Sequence, residues 1–428
     1  MGHHISRSHH RNNYKQLTDR LNRYPQGAPD SHLLKEILKI LFTDREAELV
    51  SLLPIRPFTI EQASRIWSLD ETQTRNILDL LASRAILVDI VQANTTHYVL
   101  PPPMAGFFEF SLMRIRDDID QKALSELFHQ YLNVEEDFIR DLFTKGDTQL
   151  GRVFVHEPAL ADQQSLHVLD YERASEVIET AEHMGISICY CRHKMQHLDK
   201  ACEAPMDICM TFNTSAASLI RHGHARKVDV IEGRELLKQA YENNLVQFGE
   251  NSRERVNFIC NCCGCCCEAM LAAKRFAHLH PVHTTNYIPA LVFASCKGCG
   301  KCVNICPVEA MSLVSANDPH NPKKRTARLN EEICLGCGLC LRSCPTESIT
   351  LTTRKEKVIT PVSSAYRVVL MAIERGTLQH LIFDNRLLFS HRALAALFGV
   401  IFRMPPVKQI LASKQLQSRY LEKILANI

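Results

Sequence analysis

Apolar residues recur along this chain in two rhythms. From Leu33 the segments LLKEILKILF and DREAELVSLL place them at intervals of three and four, the spacing that keeps one helix face dry. Pro54 and Pro57 stop that run. Thr59 is placed to cap a short helix over IEQASRIW, and after Ser68-Leu69-Asp70 a second helix covers ETQTRNILDLLASRA, which is helix-turn-helix spacing. The rhythm then changes, and ILVDIVQANTTHYVL reads as two strands about a turn at Ala93-Asn94-Thr95. Together these elements predict a winged-helix-like domain over 31–105.

Three consecutive prolines in PPPMAGFF (101–108) hold an extended joint and cannot continue a strand ladder. Phe107, Phe108 and Phe110 precede an amphipathic helix through Ile119, Leu124, Leu127 and Phe128, and a second helix is expected over 134–144. These aromatics are read as core or domain interface, in a helical linker region over 106–170. Between 171 and 290 helix and strand alternate. YERASEVIETAEHMG is a helix closed by Gly185, and SAASLIRHGHA and RELLKQAYENN are further helices. ISICYC, LVQFG and VNFIC are strands, so this region is α/β in outline. The region 353–428 is helical, with two or three amphipathic helices over 366–428 broken at Arg403-Met404-Pro405-Pro406. Its apolar LLFSHRALAALFGVIF segment suits an interface with a partner subunit or with the cysteine-rich domain.

Composition narrows the function. With 428 residues the chain holds two to four domains, and 50 Lys and Arg against 47 Asp and Glu make no global electrostatic case for nucleic acid or an acidic membrane. The second helix of the winged-helix-like domain exposes Asp70, Glu71, Thr72, Gln73, Arg75 and Asn76. Its two leading carboxylates oppose phosphate, and the wing tip has no Lys or Arg. DNA is therefore the lesser expectation, behind a protein contact or a structural role. The stretch 1–30 is polar, contains His3, His4, His9 and His10, and is expected to be a flexible, solvated tail without a secretory signal. No run reaches the ~18 apolar residues of a membrane span. The nearest, ALAALFGVIF (393–402), is flanked by His391, Arg392 and Arg403. A cytoplasmic setting is expected, reducing or anaerobic if the cysteines carry oxygen-labile clusters.

All 18 cysteines lie between Cys189 and Cys344, too clustered for a disulfide framework. The pattern C-x2-C-x2-C-x3-C-P occurs twice: at Cys296, Cys299, Cys302, Cys306 and Pro307, and at Cys334, Cys337, Cys340, Cys344 and Pro345. The copies 296–313 and 334–351 are an internal repeat. Three thiolates on a tight loop each hold one iron of a [4Fe-4S] cube, and in this pattern the fourth comes from the other copy. Gly298, Gly300, Gly336 and Gly338 let the loop wrap the cluster. Zinc would want two C-x2-C pairs far apart, which neither copy supplies.

The stretch 291–352 resembles the bacterial two-[4Fe-4S] ferredoxin module, which implies a βαββαβ fold. Carried over position by position, the resemblance gives one cluster to Cys296, Cys299, Cys302 and Cys344 and the other to Cys334, Cys337, Cys340 and Cys306. Basic residues at Pro322-Lys323-Lys324-Arg325 and at Arg354, Lys355 and Lys357 are candidate docking patches for an acidic redox partner, with solvated loops as the default.

Ten cysteines remain: Cys189, Cys191, Cys202, Cys209, Cys260, Cys262, Cys263, Cys265, Cys266 and Cys267. The last six fall within CNCCGCCC, a run with no period that one core face accepts. Soft thiolates fit iron–sulfur or zinc, and beside two cubes iron–sulfur is favoured, as one or two further clusters. The pairing C-x-C-R…C…P…C with C-N-C-C-G-C-C-C resembles the region before the ferredoxin module in a group of ferredoxin-like proteins of anaerobes. That resemblance implies architecture without activity. The two groups are expected to meet at strand ends, with 262–267 as a loop because adjacent side chains on a strand alternate. Arg192 is read as a donor to cluster sulfides or as an ordinary ion pair. His193, His197, His222 and His224 are read as solvated or structural rather than as ligands.

The chain has no G-x-G-x-x-G or P-loop, and no Ser/His/Asp or H-E-x-x-H arrangement. The expectation is an α+β multidomain electron-transfer protein, with no catalytic residue assigned. Single electrons would pass through two ferredoxin-type clusters, and a further cluster, to or from a partner oxidoreductase. The rival readings are a redox-sensing DNA-binding regulator and an enzyme with a catalytic cluster at 260–267.

Overall fold

The computed structural model describes residues 13–93, 95–160 and 168–384. Helices His32–Leu41 and Asp44–Leu52 open the N-terminal unit, each started by a capping hydroxyl: Ser31 accepts from the Leu34 N–H, and Thr43 forms a reciprocal box with Glu46. Strand β1 (Phe58–Thr59) leads into helix Ile60–Trp67, capped by a second such box between Thr59 and Gln62. Helix Glu71–Ser83 follows, and then β2 (Val88–Gln92) and β3 (Thr95–Val99). The three strands form an antiparallel sheet in the order β1-β3-β2. Trp67 is buried and donates its Nε1–H to the Leu49 carbonyl at 2.9 Å, tying the two helical layers together.

Where a flexible tail is expected, Asn13–Leu21 is instead a helix with Leu17 and Leu21 in the core. Its fully buried Arg20 donates to the Pro54 carbonyl. The segment NYKQLTDRL is polar apart from Tyr14 and one pair of leucines four apart, too short a stripe to mark it as a core helix.

The proline joint ends in a turn over Pro103–Phe107 where Ala105 takes a left-handed conformation (φ 55°). The buried ring pairs Phe107–Phe108 and Phe108–Phe128 have centroids 4.9 Å apart, which makes these aromatics core. Helices Gln121–His129 and Asp137–Thr144 pack in the same cluster. The described residues of 106–170 are therefore part of the body of the fold. They even supply an edge strand, β4 (Gly151–Val153), to the next sheet.

That sheet also contains β5 (Met184–Ile188), β6 (Asp207–Phe212), β7 (Arg226–Lys227), β8 (Val246–Glu250) and β9 (Phe258–Cys262), in the order β4-β8-β9-β6-β5-β7. Every adjacent pair is antiparallel, so the unit is α+β rather than the α/β arrangement expected. Helix Ala174–Thr180 is shorter than expected, and Gly185 lies within β5 instead of closing it. Helices Asn213–Arg221 and Val230–Glu242 agree with the apolar pattern.

Helix Asn213–Arg221 also joins the sheet unit to the N-terminal one through Asp89 of β2. The Asp89 carboxylate accepts from the Ser218 hydroxyl and from Arg221, and the His222 Nε2 lies 3.2 Å away. Burial opposes its ionisation, but the nearby His222, the Ser218 hydroxyl and the Arg221 guanidinium outweigh that and hold its carboxyl well below the usual range. A depressed folded pKa stabilises above the unfolded value near ~3.9, and that stability is lost as pH falls through the folded value. Asp89→Asn is expected to cost about 2 kcal/mol at neutral pH and nothing at low pH. Denaturant midpoints of both proteins measured from pH 7 downward check this.

The C-terminal third has the order β10 (Tyr287–Leu291), helix Lys301–Ile305, β11 (Met311–Ser315), β12 (Arg325–Leu329), helix Leu339–Arg342 and β13 (Ile349–Thr353). β10 pairs with β13 and β11 with β12, both antiparallel, in the expected βαββαβ sequence. Helices Ser364–Arg375 and Leu378–Ile382 follow. Asp384 then accepts from the Ile55 and Arg56 N–H groups at 2.7 and 3.0 Å, bringing the chain back to its first unit. The four N-terminal histidines, the 387–402 segment and the break at 403–406 lie outside the described residues. Among those described, no helix is long and apolar enough to cross a membrane.

Candidate metal centres

The two ferredoxin loops each surround a small cavity with four cysteines. Cys296, Cys299, Cys302 and Cys344 line one, and Cys306, Cys334, Cys337 and Cys340 line the other. The exchange of the fourth thiol follows from packing: helices Lys301–Ile305 and Leu339–Arg342 lie against each other, so each helix end delivers its cysteine to the neighbouring loop. Burial pushes the Cys334 thiol up to about 11 and Cys337 up to about 12, so these thiols ionise only where a cationic core compensates the lost solvation. That is the donor set an iron–sulfide cube requires.

The glycines are required here. Gly336 has φ +69°, and a Cβ on it would sit 2.1 Å from the Tyr287 carbonyl oxygen; one on Gly298 (φ +62°) would sit 2.3 Å from that of Arg325. Gly336→Ala is accordingly expected to lower bound iron by about four per chain while the cluster of the first loop persists, as read by iron analysis and electron paramagnetic resonance. Arg354 belongs to this frame and not to a free basic patch. It donates to the carbonyls of Cys334 at 2.6 Å and Thr285 at 3.1 Å, bracing the second loop.

The other ten cysteines divide in two. The thiols of Cys202, Cys263, Cys265 and Cys266 lie within 4.8 Å of one another, a spacing that one metal ion or one cluster face spans. Three of them come from the turn between β9 and helix Glu268–Arg275: 263–267 leaves the strand as expected, while Cys262, expected in the loop, is the last residue of β9. Gly264 packs this turn onto the ferredoxin unit: a Cβ there would lie 2.7 Å from the Pro307 carbonyl oxygen, next to Cys306.

Cys189, Cys191, Cys209, Cys260, Cys262 and Cys267 instead line a cavity of about 550 Å³, which Cys263 also reaches. The sheet explains their meeting. Cys260 and Cys262 share one face of β9, while Asn261 points the other way, donating to the Ile208 carbonyl at 2.8 Å. The pairing of Met210 with Ile259 puts Cys209 on the face of Cys260. Arg192 is buried beside them and donates to the Asn261 carbonyl at 3.2 and 3.3 Å. Burial would lower its pKa, but the thiols of Cys189, Cys263 and Cys262 more than reverse this, and it stays a cation facing sulfur.

The four histidines near this region have other partners. His193 Nδ1 meets the Leu112 carbonyl at 2.7 Å and His224 Nε2 that of Ser83 at 2.9 Å, His222 faces Asp89, and the His197 ring lies 4.8 Å from that of His193.

Two further groups carry no motif. Glu109 projects into the large cavity and accepts from the Ala105 and Gly106 N–H groups at 2.7 and 3.0 Å. Burial, only partly offset by those bonds, pushes its carboxyl up to about 8. Lys194 and Glu268, both buried, form an ion pair joining helix Tyr190–Gln196, which carries Cys191, to the one after Cys267. The sole sequence signal for it is a Glu directly after a cysteine run.

No curated protein matches the chain. Residues 295–348 match the family model of the 4Fe-4S dicluster domain, and with the four-cysteine cavities of both loops this gives the protein a dicluster domain carrying two [4Fe-4S] clusters.

Proposed function

We propose that this protein passes single electrons through the two ferredoxin cubes to or from a partner oxidoreductase, by way of a further centre at Cys202, Cys263, Cys265 and Cys266. One cube is held by Cys296, Cys299, Cys302 and Cys344 and the other by Cys306, Cys334, Cys337 and Cys340. The observation that carries the reading is the contact of Gly264 with Pro307. It sets two ligands of the further centre, Cys263 and Cys265, one residue either side of a contact adjacent to Cys306, a ligand of the second cube. Anaerobic protein reduced with dithionite is expected to return its electrons singly to methyl viologen. Cys337→Ser should slow reoxidation of the cysteine-rich centre. Clusters that do not cycle, or a rate unchanged in that variant, would sink the reading.

The N-terminal unit is read as winged-helix-like, supported by its order of helix, strand, two helices and hairpin. A regulatory role on DNA has less support. Asp70 spends its carboxylate on the Gln73 N–H at the helix start, and Glu71 adds a second negative charge at the end that would meet phosphate. Full-length protein is expected to bind random duplex DNA weakly and with little salt dependence in fluorescence anisotropy. A steep salt slope with sequence selectivity would favour the regulator instead.

A further inference from the structure

Six thiols around one chamber exceed what a zinc ion or a single cube takes up, since each binds four protein ligands. They form an arc of neighbouring thiols around the chamber, called the ring below. Cys189 contacts Cys191, Cys191 contacts Cys267, Cys267 lies with its Sγ 3.1 Å from that of Cys262, Cys262 contacts Cys260, and Cys260 contacts Cys209. Cys189, at the other end of the arc, lies close enough for its charge to act on Cys209. The ring draws on both ends of the cysteine-rich unit, and all six residues line the same cavity of about 550 Å³.

Three features of the chamber point to a ligand. Arg192 is buried and its Nε has no hydrogen-bond partner among the described residues; the buried Tyr190 hydroxyl has none either, and both residues line the chamber. Native interiors satisfy such donors, and cluster sulfides would accept from them. The wall is otherwise largely apolar, including Met104, Phe110, Met113 and Phe143. In such surroundings six thiolates are tolerable only around a strongly cationic core.

We infer that this ring holds a polynuclear iron–sulfide cluster larger than a cube, with six terminal thiolates from Cys189, Cys191, Cys209, Cys260, Cys262 and Cys267, separate from the four-thiol centre and from both ferredoxin cubes. In iron–sulfide cubes each iron takes one terminal thiolate, so six thiolates correspond to at least six irons, and to eight where two cubes share a bridging sulfide in place of one thiolate on each. Arg192 and Tyr190 supply the outer hydrogen bonds. The inference concerns iron content alone and stands or falls independently of the electron route proposed above.

The test uses the full chain, anaerobically reconstituted with iron and sulfide. Two double variants are compared with the unaltered protein: Cys209→Ser with Cys260→Ser, which opens the ring, and Cys202→Ser with Cys265→Ser, which opens the four-thiol centre. The first is expected to lose six or more irons per chain, with the paramagnetic signals of the ferredoxin cubes retained. The second should lose only its own metal. A loss of about four irons from the first variant would mean a cube with two spare thiols and would overturn the inference, as would a loss of one ion or none. Should the ring variant fail to fold, iron counting and Mössbauer spectroscopy on the unaltered protein decide. After subtraction of the metal that opening the four-thiol centre removes, at least 14 irons are then expected, eight of them in the ferredoxin cubes, against about 12 if the ring held a single cube. Thiols of the ring that remain free to alkylation in the loaded protein would refute it.

Discussion

Replacing Cys306 by serine is expected to remove the cluster held by Cys334, Cys337 and Cys340 and to leave the one beside it in sequence. Cys306 follows the first three cysteines of its own copy, yet it lines the cavity of the other copy, while Cys344 lines the first. Loss of one ligand from a cube should lower bound iron by about four per chain, or convert that cluster to a form with altered paramagnetic signature. The assignment is decided by combination. Cys306→Ser with Cys337→Ser should lose no more iron than either alone, because both act on one cluster. Cys306→Ser with Cys299→Ser should lose about eight, because each acts on a different cube. The reverse pattern would place Cys306 with its sequence neighbours and break the crossed arrangement.

How far the sequence carries differs between the two metal regions for a physical reason. In the ferredoxin segment ligand spacing, positive-φ glycines and the closing proline all lie within one short loop, so the chemistry is local and both copies can be read directly. In the cysteine-rich region only the presence of the thiols is local. Their division into a group of four and a ring of six depends on sheet register: on Met210 facing Ile259, on Phe248 facing Cys260, and on the register shift at Ser187/Ile188, just before Cys189. β6, the segment DICMTF, is flanked by a polar loop and a helix and was not distinguishable as a strand by alternation. The antiparallel order was equally hidden, since helix–strand alternation is what a parallel sheet would also show. Glu109 is invisible for a different reason. Its role comes from the left-handed turn at Ala105, which aims two N–H groups at one carboxylate within a segment that reads only as proline-rich.

The largest stability effect is expected at Lys194 and Glu268. Both side chains are buried, at 0% and 4% exposure, and Asn133 completes the group by donating to Glu268 Oε2 at 2.7 Å and accepting from Lys194 Nζ at 2.8 Å. Taking two charges out of water is costly, and their attraction offsets that cost only while both are present. Lys194→Met therefore leaves an uncompensated buried carboxylate and should destabilise by about 3–5 kcal/mol, with Glu268→Gln similar in size. The double variant should be more stable than the sum of the single losses, because it buries no net charge; anaerobic denaturant titrations of the four proteins measure that coupling. The pair has a second consequence through its neighbours. Cys191 lies on the helix that carries Lys194, and Cys267 immediately precedes Glu268, so the ion pair clamps two adjacent members of the thiol ring. Either single variant should lose iron from the ring at denaturant concentrations that leave the ferredoxin cubes loaded. Iron released from both regions together, or strictly additive losses in the double variant, would show that the pair neither clamps the ring nor acts as a buried unit.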